Sequence, residues 1–335
     1  MTTPSPERRW IIAEVGSVHD GSFGNACKLI ELAADCGANV VKFQTHVAEA
    51  ETLASAPSPS YFKAESRLAY FRRTAFHLDQ WKELVKLAHS RGLLFMSSPF
   101  AIEAVDLLEQ VGLDIYKIAS GEVTNTPMLE RIVTTGKPVI LSSGMSDWTE
   151  LDRAVETLRP SSDLLVMQCT SAYPTPVERA GANVIPELAQ RYGVRTGFSD
   201  HTQGLASAIT AIWLGASAVE KHITFSRTMY GSDAQFGVEP DEFRRYCSEM
   251  NDAWALRANP VDKSDLGALR EMKQVFEKSI VTASAIARGE KLSRDKLAFK
   301  KPGTGIRADR LWLVLDKVAA RDLPADHMLC SEDIQ

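Results

Sequence analysis

No stretch of this sequence approaches the ~20 consecutive apolar residues that a bilayer-spanning helix requires. The longest candidate, residues 206–218, is interrupted by Ser, Thr and Gly, so a membrane-spanning role is excluded. A secretory leader is missing as well: residues 1–9 are polar and carry Pro4 and Pro6, without the apolar core such a signal needs. The expected compartment is the cytoplasm. There is no excess of positive charge, with 38 Lys and Arg against 43 Asp and Glu and a net charge of -5, and nothing favours a nucleic acid partner. Cysteine is scarce: Cys27, Cys36, Cys169, Cys247 and Cys330 are odd in number and form no C-x-x-C pair. That pattern fits reduced structural thiols better than a disulfide framework or a zinc site.

What remains is ordinary globular material, 335 residues with 44% hydrophobic and 24% charged, a length for about two domains at ~150 residues each. Short β-branched runs recur at 10–14, 39–44, 93–97, 114–118, 138–141, 164–168, 195–198 and 216–221. Each is followed by a segment of helical period, as at 24–36, where Ala26, Leu29, Ile30, Ala33 and Ala34 share a face. Eight βα repeats within about 255 residues match an α/β fold of the closed (β/α)8 TIM barrel type; an open doubly wound sheet is the alternative. The barrel is expected over 1–258, a polar, turn-rich linker over 259–276, and a small β-rich domain over 277–335 with strands near 279–283, 296–299 and 314–319.

Chemistry in a parallel barrel collects at the carboxyl ends of its strands. The runs end, in order, in Glu14; Lys42 and Gln44; Ser97-Ser98-Pro99-Phe100; Lys117, Ser120, Gly121 and Glu122; Ser142-Ser143-Gly144; Gln168 through Tyr173; Ser199-Asp200-His201; and Glu220-Lys221-His222. All eight ends are polar, which marks a site. His201 and His222, on adjacent strand ends, suit one divalent ion with positions left open for water and substrate. Lys42 and Lys117 call for anionic oxygens, phosphate or carboxylate, and Ser98, Ser120, Ser142 and Ser199 add uncharged donors. Glu14 and Glu122 are candidate acid/base carboxylates or partners of the lysines. The loop carrying Asp233 could return over the mouth. His46, His77, His89 and His327 read as surface residues.

The ordered strings Ile12-Ala13-Glu14-Val15-Gly16, Val41-Lys42-Phe43-Gln44, Tyr116-Lys117-Ile118-Ala119-Ser120-Gly121-Glu122, Leu141-Ser142-Ser143-Gly144-Met145, Tyr173-Pro174-Thr175-Pro176, Ser199-Asp200-His201-Thr202 and Glu220-Lys221-His222 resemble those of the sialic acid synthase family. Lys301-Pro302-Gly303-Thr304-Gly305 with Arg288-Gly289-Glu290 resembles the antifreeze-like (SAF) domain that follows its barrel. The resemblance implies a TIM-barrel enzyme that condenses phosphoenolpyruvate with the aldehyde of an acylated hexosamine, giving a nonulosonic acid and phosphate. It implies that Lys42, Ser98, Lys117, Ser120, Ser142, Ser199 and, where the family often has Asn, Ser171 hold phosphoenolpyruvate. Glu14, Gln44, Glu122, Tyr173 and Asp233 then meet the sugar or the reacting centre, with Glu14, Lys42, Lys117, Glu122 and His222 as the catalytic set. His201 and His222 bind Mn2+ or Mg2+. The partners implied are these small molecules and a second copy of the chain, in an exchanged homodimer.

The sequence departs from the family at Val18, which precedes His19 where Asn-His is usual, and at Lys301, where sialic acid synthases carry an Arg that reaches the N-acyl group. A lysine offers a point charge in place of a planar fork. The acceptor therefore stays open among sialic, legionaminic, pseudaminic and spore-coat polysaccharide pathways. Two rival readings are a Schiff-base aldolase using Lys117 or Lys42 and a non-catalytic carbohydrate- or ice-binding protein.

Overall fold

The computed structural model describes residues 8–57 and 65–335; of the amino-terminal stretch 1–9 read above, all but Arg8 and Arg9 lie outside them. Eight strands, β1 (Trp10–Gly16), β2 (Val40–Thr45), β3 (Leu94–Pro99), β4 (Ile115–Ile118), β5 (Val139–Ser142), β6 (Leu164–Cys169), β7 (Arg195–Asp200) and β8 (Ala218–His222), are hydrogen-bonded in chain order into a closed barrel. Parallel pairing of β8 with β1, from Trp10↔Ala218 to Glu14↔His222, closes the ring and excludes the open sheet.

The barrel interior is stacked in layers because side chains alternate faces along each strand. Trp10, Ile12, Val40, Met96, Ile115, Ile140, Leu165, Met167 and Ala218 form an apolar plug. One interior step toward the carboxyl ends, at the same parity, come Glu14, Lys42, Ser98, Lys117, Ser142, Cys169, Ser199 and Glu220, all buried. The opposite parity faces the helices: Ile11, Ala13, Val41, Phe43, Phe95 and Val219 belong to the large outer core. Helix Trp148–Leu158 shows how the shell is built. Asp147 accepts from the Glu150 amide at 2.9 Å, Glu150 returns to the Asp147 amide at 3.1 Å, and Leu151, Ala154, Val155 and Leu158 turn inward. Truncating Leu158 to Ala would cost about 3 kcal/mol in such packing.

Residues 8–259 form one compact unit and Pro260–Gln335 a second. The stretch read as a linker contains a helix, Leu269–Phe276, whose Leu269, Met272, Val275 and Phe276 are exposed. In the second unit β9 (Ser279–Thr282) pairs antiparallel with β10 (Leu297–Lys300), around a core of Ile280, Ile286, Leu292, Leu297, Val314, Ala319, Leu323 and Leu329. The strand expected near 314–319 is reduced to isolated bridges, Lys291↔Val318 and Ala319↔Ile334, because Val314 ends a short 3-10 segment. No helix among the described residues is long and apolar enough to cross a membrane, and all five cysteines are unbridged.

Candidate active site

Parity along the strands decides which of the polar strand-end residues converge. Lys42 and Glu14 are register partners on β2 and β1, and their side chains meet, Nζ to Oε2, at 3.1 Å. The Lys42 ammonium also reaches Glu220 Oε1 at 3.0 Å. From the far side of the barrel Lys117 Nζ donates to both Glu220 oxygens at 2.8 Å, and Ser199 Oγ donates to Oε1 at 2.9 Å. One carboxylate thus joins two lysines and a serine in the barrel floor.

Burial opposes charge on every member, and the neighbours decide the outcome. For Glu14 burial wins over Lys42 and lifts the carboxyl to about 7. For Glu220 burial is overcome by Lys117 and Lys42, which hold it far below the usual carboxylate range. Burial likewise opposes the Lys42 charge, but Glu14 and Glu220 hold it above the ordinary lysine value. Lys117 is pushed below that value by burial, and Lys42 adds to the effect against the pull of Glu220.

Above this floor opens a cavity of about 490 Å3, whose lining includes Gln44, Ser120, Glu122, Ser171, Tyr173, His222 and Asp233. Gln44 Nε2 donates to Glu14 Oε1 at 3.0 Å. Glu122, in the turn after β4, accepts from Asn125 at 2.8 Å, and burial raises its carboxyl. Asp233 does return over the mouth, accepting the Ser17 amide at 2.8 Å. Its approach is possible because Gly16, at φ +54°, has no Cβ, which would collide with Asp233 Oδ2. A Cβ on Gly144 would strike the hydroxyls of Ser171 and Ser120, so these three close a cradle of small groups beside the floor. Ser98 and Ser142 are buried at interior positions of β3 and β5.

His201 and His222 have ring centroids 5.6 Å apart, with Tyr173 4.3 Å from His201. His201 Nδ1 lies 3.0 Å from the Thr170 carbonyl, which fixes its proton there and leaves Nε2 as the lone-pair nitrogen. Burial holds His222 neutral, lowering it to about 3, and its Nδ1 is buried without a hydrogen-bond partner. Two imidazoles with available lone pairs fit a divalent ion. Among the described residues no group of three or more His, Cys, Asp or Glu is placed to hold a metal, so its remaining ligands would be water and substrate oxygens.

Some of the polar strand-end residues do not face the interior, Ser97 among them, its hydroxyl bonded to Thr45 and the Phe43 carbonyl. Asp200 and Lys221 point out of the barrel and pair at 2.9 Å behind it, and Gln168 turns outward to Ser143 and the Ala180 carbonyl. Lys301 lies in the second unit, its ammonium 4.6 Å over the Phe276 ring. Glu220, which joins both lysines, was missed as a site residue although it shares parity with His222. His46, read as surface, is buried between aromatic rings. A larger cavity of about 630 Å3 is lined by Gln203, Arg227, Arg245 and Tyr246 and touches only His201 of the expected site residues.

A sequence model described as the NeuB family matches residues 29–262, and one for the SAF domain matches residues 277–335. The chain is 33% identical to N,N'-diacetyllegionaminic acid synthase of Campylobacter jejuni, over 95% of this chain and 98% of that one. It is 31% identical to N-acetylneuraminate-9-phosphate synthase of Mus musculus, over 87% and 82%. Among solved structures, N-acetylneuraminic acid (sialic acid) synthetase of Leptospira borgpetersenii superposes with a TM-score of 0.69 at 28% identity, covering 79% of this chain and 90% of that one. With the family match spanning most of the barrel, the chain belongs to the NeuB family.

Proposed function

We propose that this chain condenses phosphoenolpyruvate with the open-chain aldehyde of an acylated hexosamine, releasing a nonulosonic acid and inorganic phosphate. The observation that carries this reading is the Lys42–Glu220–Lys117 arrangement in the barrel floor, directly beside the serine cradle. With Glu14 protonated, two ammonium groups share one ionised carboxylate and leave a positive charge for a further anion; Ser98, Ser120, Ser142 and Ser171 would supply donors for its oxygens, joined by Ser199 once its hydroxyl turns from Glu220.

In the reaction, the enol carbon of phosphoenolpyruvate attacks the aldehyde carbon, whose oxygen takes a proton. Water then adds to the resulting C2 cation and gives up one proton, which balances the one taken by the aldehyde oxygen, and phosphate departs with cleavage of the C2–O bond, carrying the second water proton away as the ketone forms. Glu14, its carboxyl lifted by burial to about 7 and held between Lys42 and Gln44, would take the proton from water. Lys42 and Lys117 would stabilise the charge of the departing phosphate. Gln44, Glu122, Tyr173 and Asp233 would orient the sugar above them. His201 and His222 would hold a Mn2+ or Mg2+ ion, which supplies Lewis-acid polarisation of the aldehyde oxygen when bound. By the same resemblance Lys301 of one copy would serve a second copy in an exchanged homodimer, and the reaction would be cytoplasmic.

The test is phosphate release from phosphoenolpyruvate against a panel of free and 6-phosphorylated acyl hexosamines, including N-acetylmannosamine and 2,4-diacetamido sugars. No release with any acceptor overturns the reading. The depressed Lys117 ammonium also suits a Schiff-base aldolase; borohydride trapping of pyruvate on Lys117 would favour it.

A further inference from the structure

The loop after β2 folds back on its own strand and buries a histidine between two aromatic rings. The His46 ring stacks on Phe71 at 3.8 Å between centroids and 9° between planes, and on Phe100 at 4.4 Å and 13°. This sandwich fixes the ring plane and aims both nitrogens. Nδ1 lies 2.8 Å from Glu51 Oε1, and Nε2 lies 3.2 Å from Gln44 Oε1. The His46 and Glu51 side chains are 6% and 4% exposed, so water does not replace these bonds.

Proton bookkeeping gives the direction. Gln44 Nε2 donates to the Glu14 carboxylate at 3.0 Å, which leaves Gln44 Oε1 as an acceptor that needs a donor. His46 Nε2–H is that donor, and one further proton bridges Nδ1 and Glu51 Oε1. An amide is nearly symmetric in shape, and turned over it would aim its carbonyl oxygen at Glu14, placing two acceptors face to face whenever Glu14 is ionised, the form in which it would serve as base.

We infer that His46 and Glu51 are positioning residues, holding the Gln44 amide so that its NH2 faces Glu14 and the acceptor sugar. Neither touches the barrel floor; the His46 ring borders the cavity beside Gln44, its Nε2 is spent on the Gln44 amide, and Glu51 acts through His46. This inference rests on the reading of Gln44 as a sugar contact, and Glu51 reaches it from the short helix Ala48–Glu51.

The experiment combines two independent readouts. In wild-type protein labelled with 15N-histidine, the His46 resonances are expected to show a proton on Nε2 at neutral pH, whether or not the chain has the proposed activity. A bare Nε2 overturns the inference. In phosphate-release kinetics with the acceptor that the panel supports, His46→Phe keeps the aromatic stack and removes the donor. It is expected to lower kcat/KM for the acceptor by about tenfold or more while leaving KM for phosphoenolpyruvate within about twofold. Because His46 acts through Gln44, Gln44→Ala/His46→Phe is expected to be no worse than Gln44→Ala alone. Losses that multiply in the double variant, or that fall equally on both substrates, overturn it. Should His46→Phe fold poorly, His46→Gln enters the same cycle. Failure of the wild type to release phosphate counts against the proposed function and leaves the 15N readout standing.

Discussion

Lys117 Nζ stands 2.8 Å from each oxygen of Glu220, inside a barrel where neither residue is reached by solvent. The pair is half of a larger balance, since Lys42 leans on the same carboxylate at 3.0 Å. Removing one partner of a buried pair strands the other charge, at a cost of about 3 kcal/mol. Glu220→Gln is therefore expected to lower stability in urea by that order. Adding Lys117→Met removes the stranded ammonium, so the double variant should be more stable than Glu220→Gln alone. Additive losses would show that the pair is not coupled.

Glu14 sets the pH dependence. Burial lifts its carboxyl from 4.5 to about 7, with Lys42 opposing. As a base it works only when ionised, so kcat/KM for phosphoenolpyruvate should rise through pH 7, and Glu14→Gln should remove that limb along with most of the rate. Stability runs the other way. A carboxyl raised in the fold contributes stability that is present below pH 4.5 and is lost as pH rises through about 7. A wild-type acid limb centred near 4.5 would show that Glu14 is not the group.

His201 and His222 are expected to hold the metal, His222 through the unpartnered Nδ1 and His201 through Nε2, 3.5 Å from a Ser199 hydroxyl whose proton goes to Glu220. Replacing either with Ala should lower turnover roughly 100-fold or more with the fold intact. Mn2+ binding, followed by electron paramagnetic resonance, should weaken in step. Dialysis against a chelator should abolish synthesis, and Mn2+ or Mg2+ should restore it. A double variant with near-normal turnover would refute the assignment.

The barrel was legible because its interior and exterior obey a period of two and its helices a period of 3.6, and both patterns survive in the sequence without knowledge of distant contacts. The same parity, applied strictly, separates Glu220 and His222 from Lys221, and Ser199 and His201 from Asp200. Taking every polar strand-end residue together hid that division, so the outward Asp200–Lys221 pair was counted among the polar ends and Glu220 was passed over. His46 was hidden for another reason. Its burial depends on Phe71 and Phe100, which come from other elements, and no local pattern announces such a sandwich.

Gly144 tests the anion cradle without touching a charged group. A Cβ there would meet the Ser120 and Ser171 hydroxyls, and these must shift to admit it. Gly144→Ala is expected to raise KM for phosphoenolpyruvate by about tenfold, the effect of displaced donors on an anion, with a smaller change for the sugar. Equal changes for both substrates would place the cradle elsewhere.

Asp333 does for the second unit what Glu220 does for the barrel. Its carboxylate is fully buried and accepts from Arg321 Nε at 2.8 Å, His327 Nε2 at 2.8 Å and the Cys330 amide at 3.0 Å. His327, read as a surface residue, is thus tied to a buried acid. Burial alone would raise the Asp333 carboxyl, but the Cys330 amide and thiol, His327 and Arg321 overcome it and hold it well below the usual range. A depressed carboxylate contributes stability that is present above the unfolded value, near pH 3.8, and is lost as pH falls through the folded one. Because the Arg321 side chain is 59% exposed, solvent screens part of its share. Asp333→Asn, which keeps the shape and loses the charge, is expected to cost the second unit about 2 kcal/mol at pH 7. The difference from wild type should shrink as pH is lowered below 4, since the unfolded chain then takes up a proton on Asp333 that the native carboxylate still refuses. Amide hydrogen exchange across β9 and β10 reads this unit separately from the barrel. Protection that is unchanged in Asp333→Asn at pH 7, or a difference that grows in acid, would show that the carboxylate does not hold the unit together.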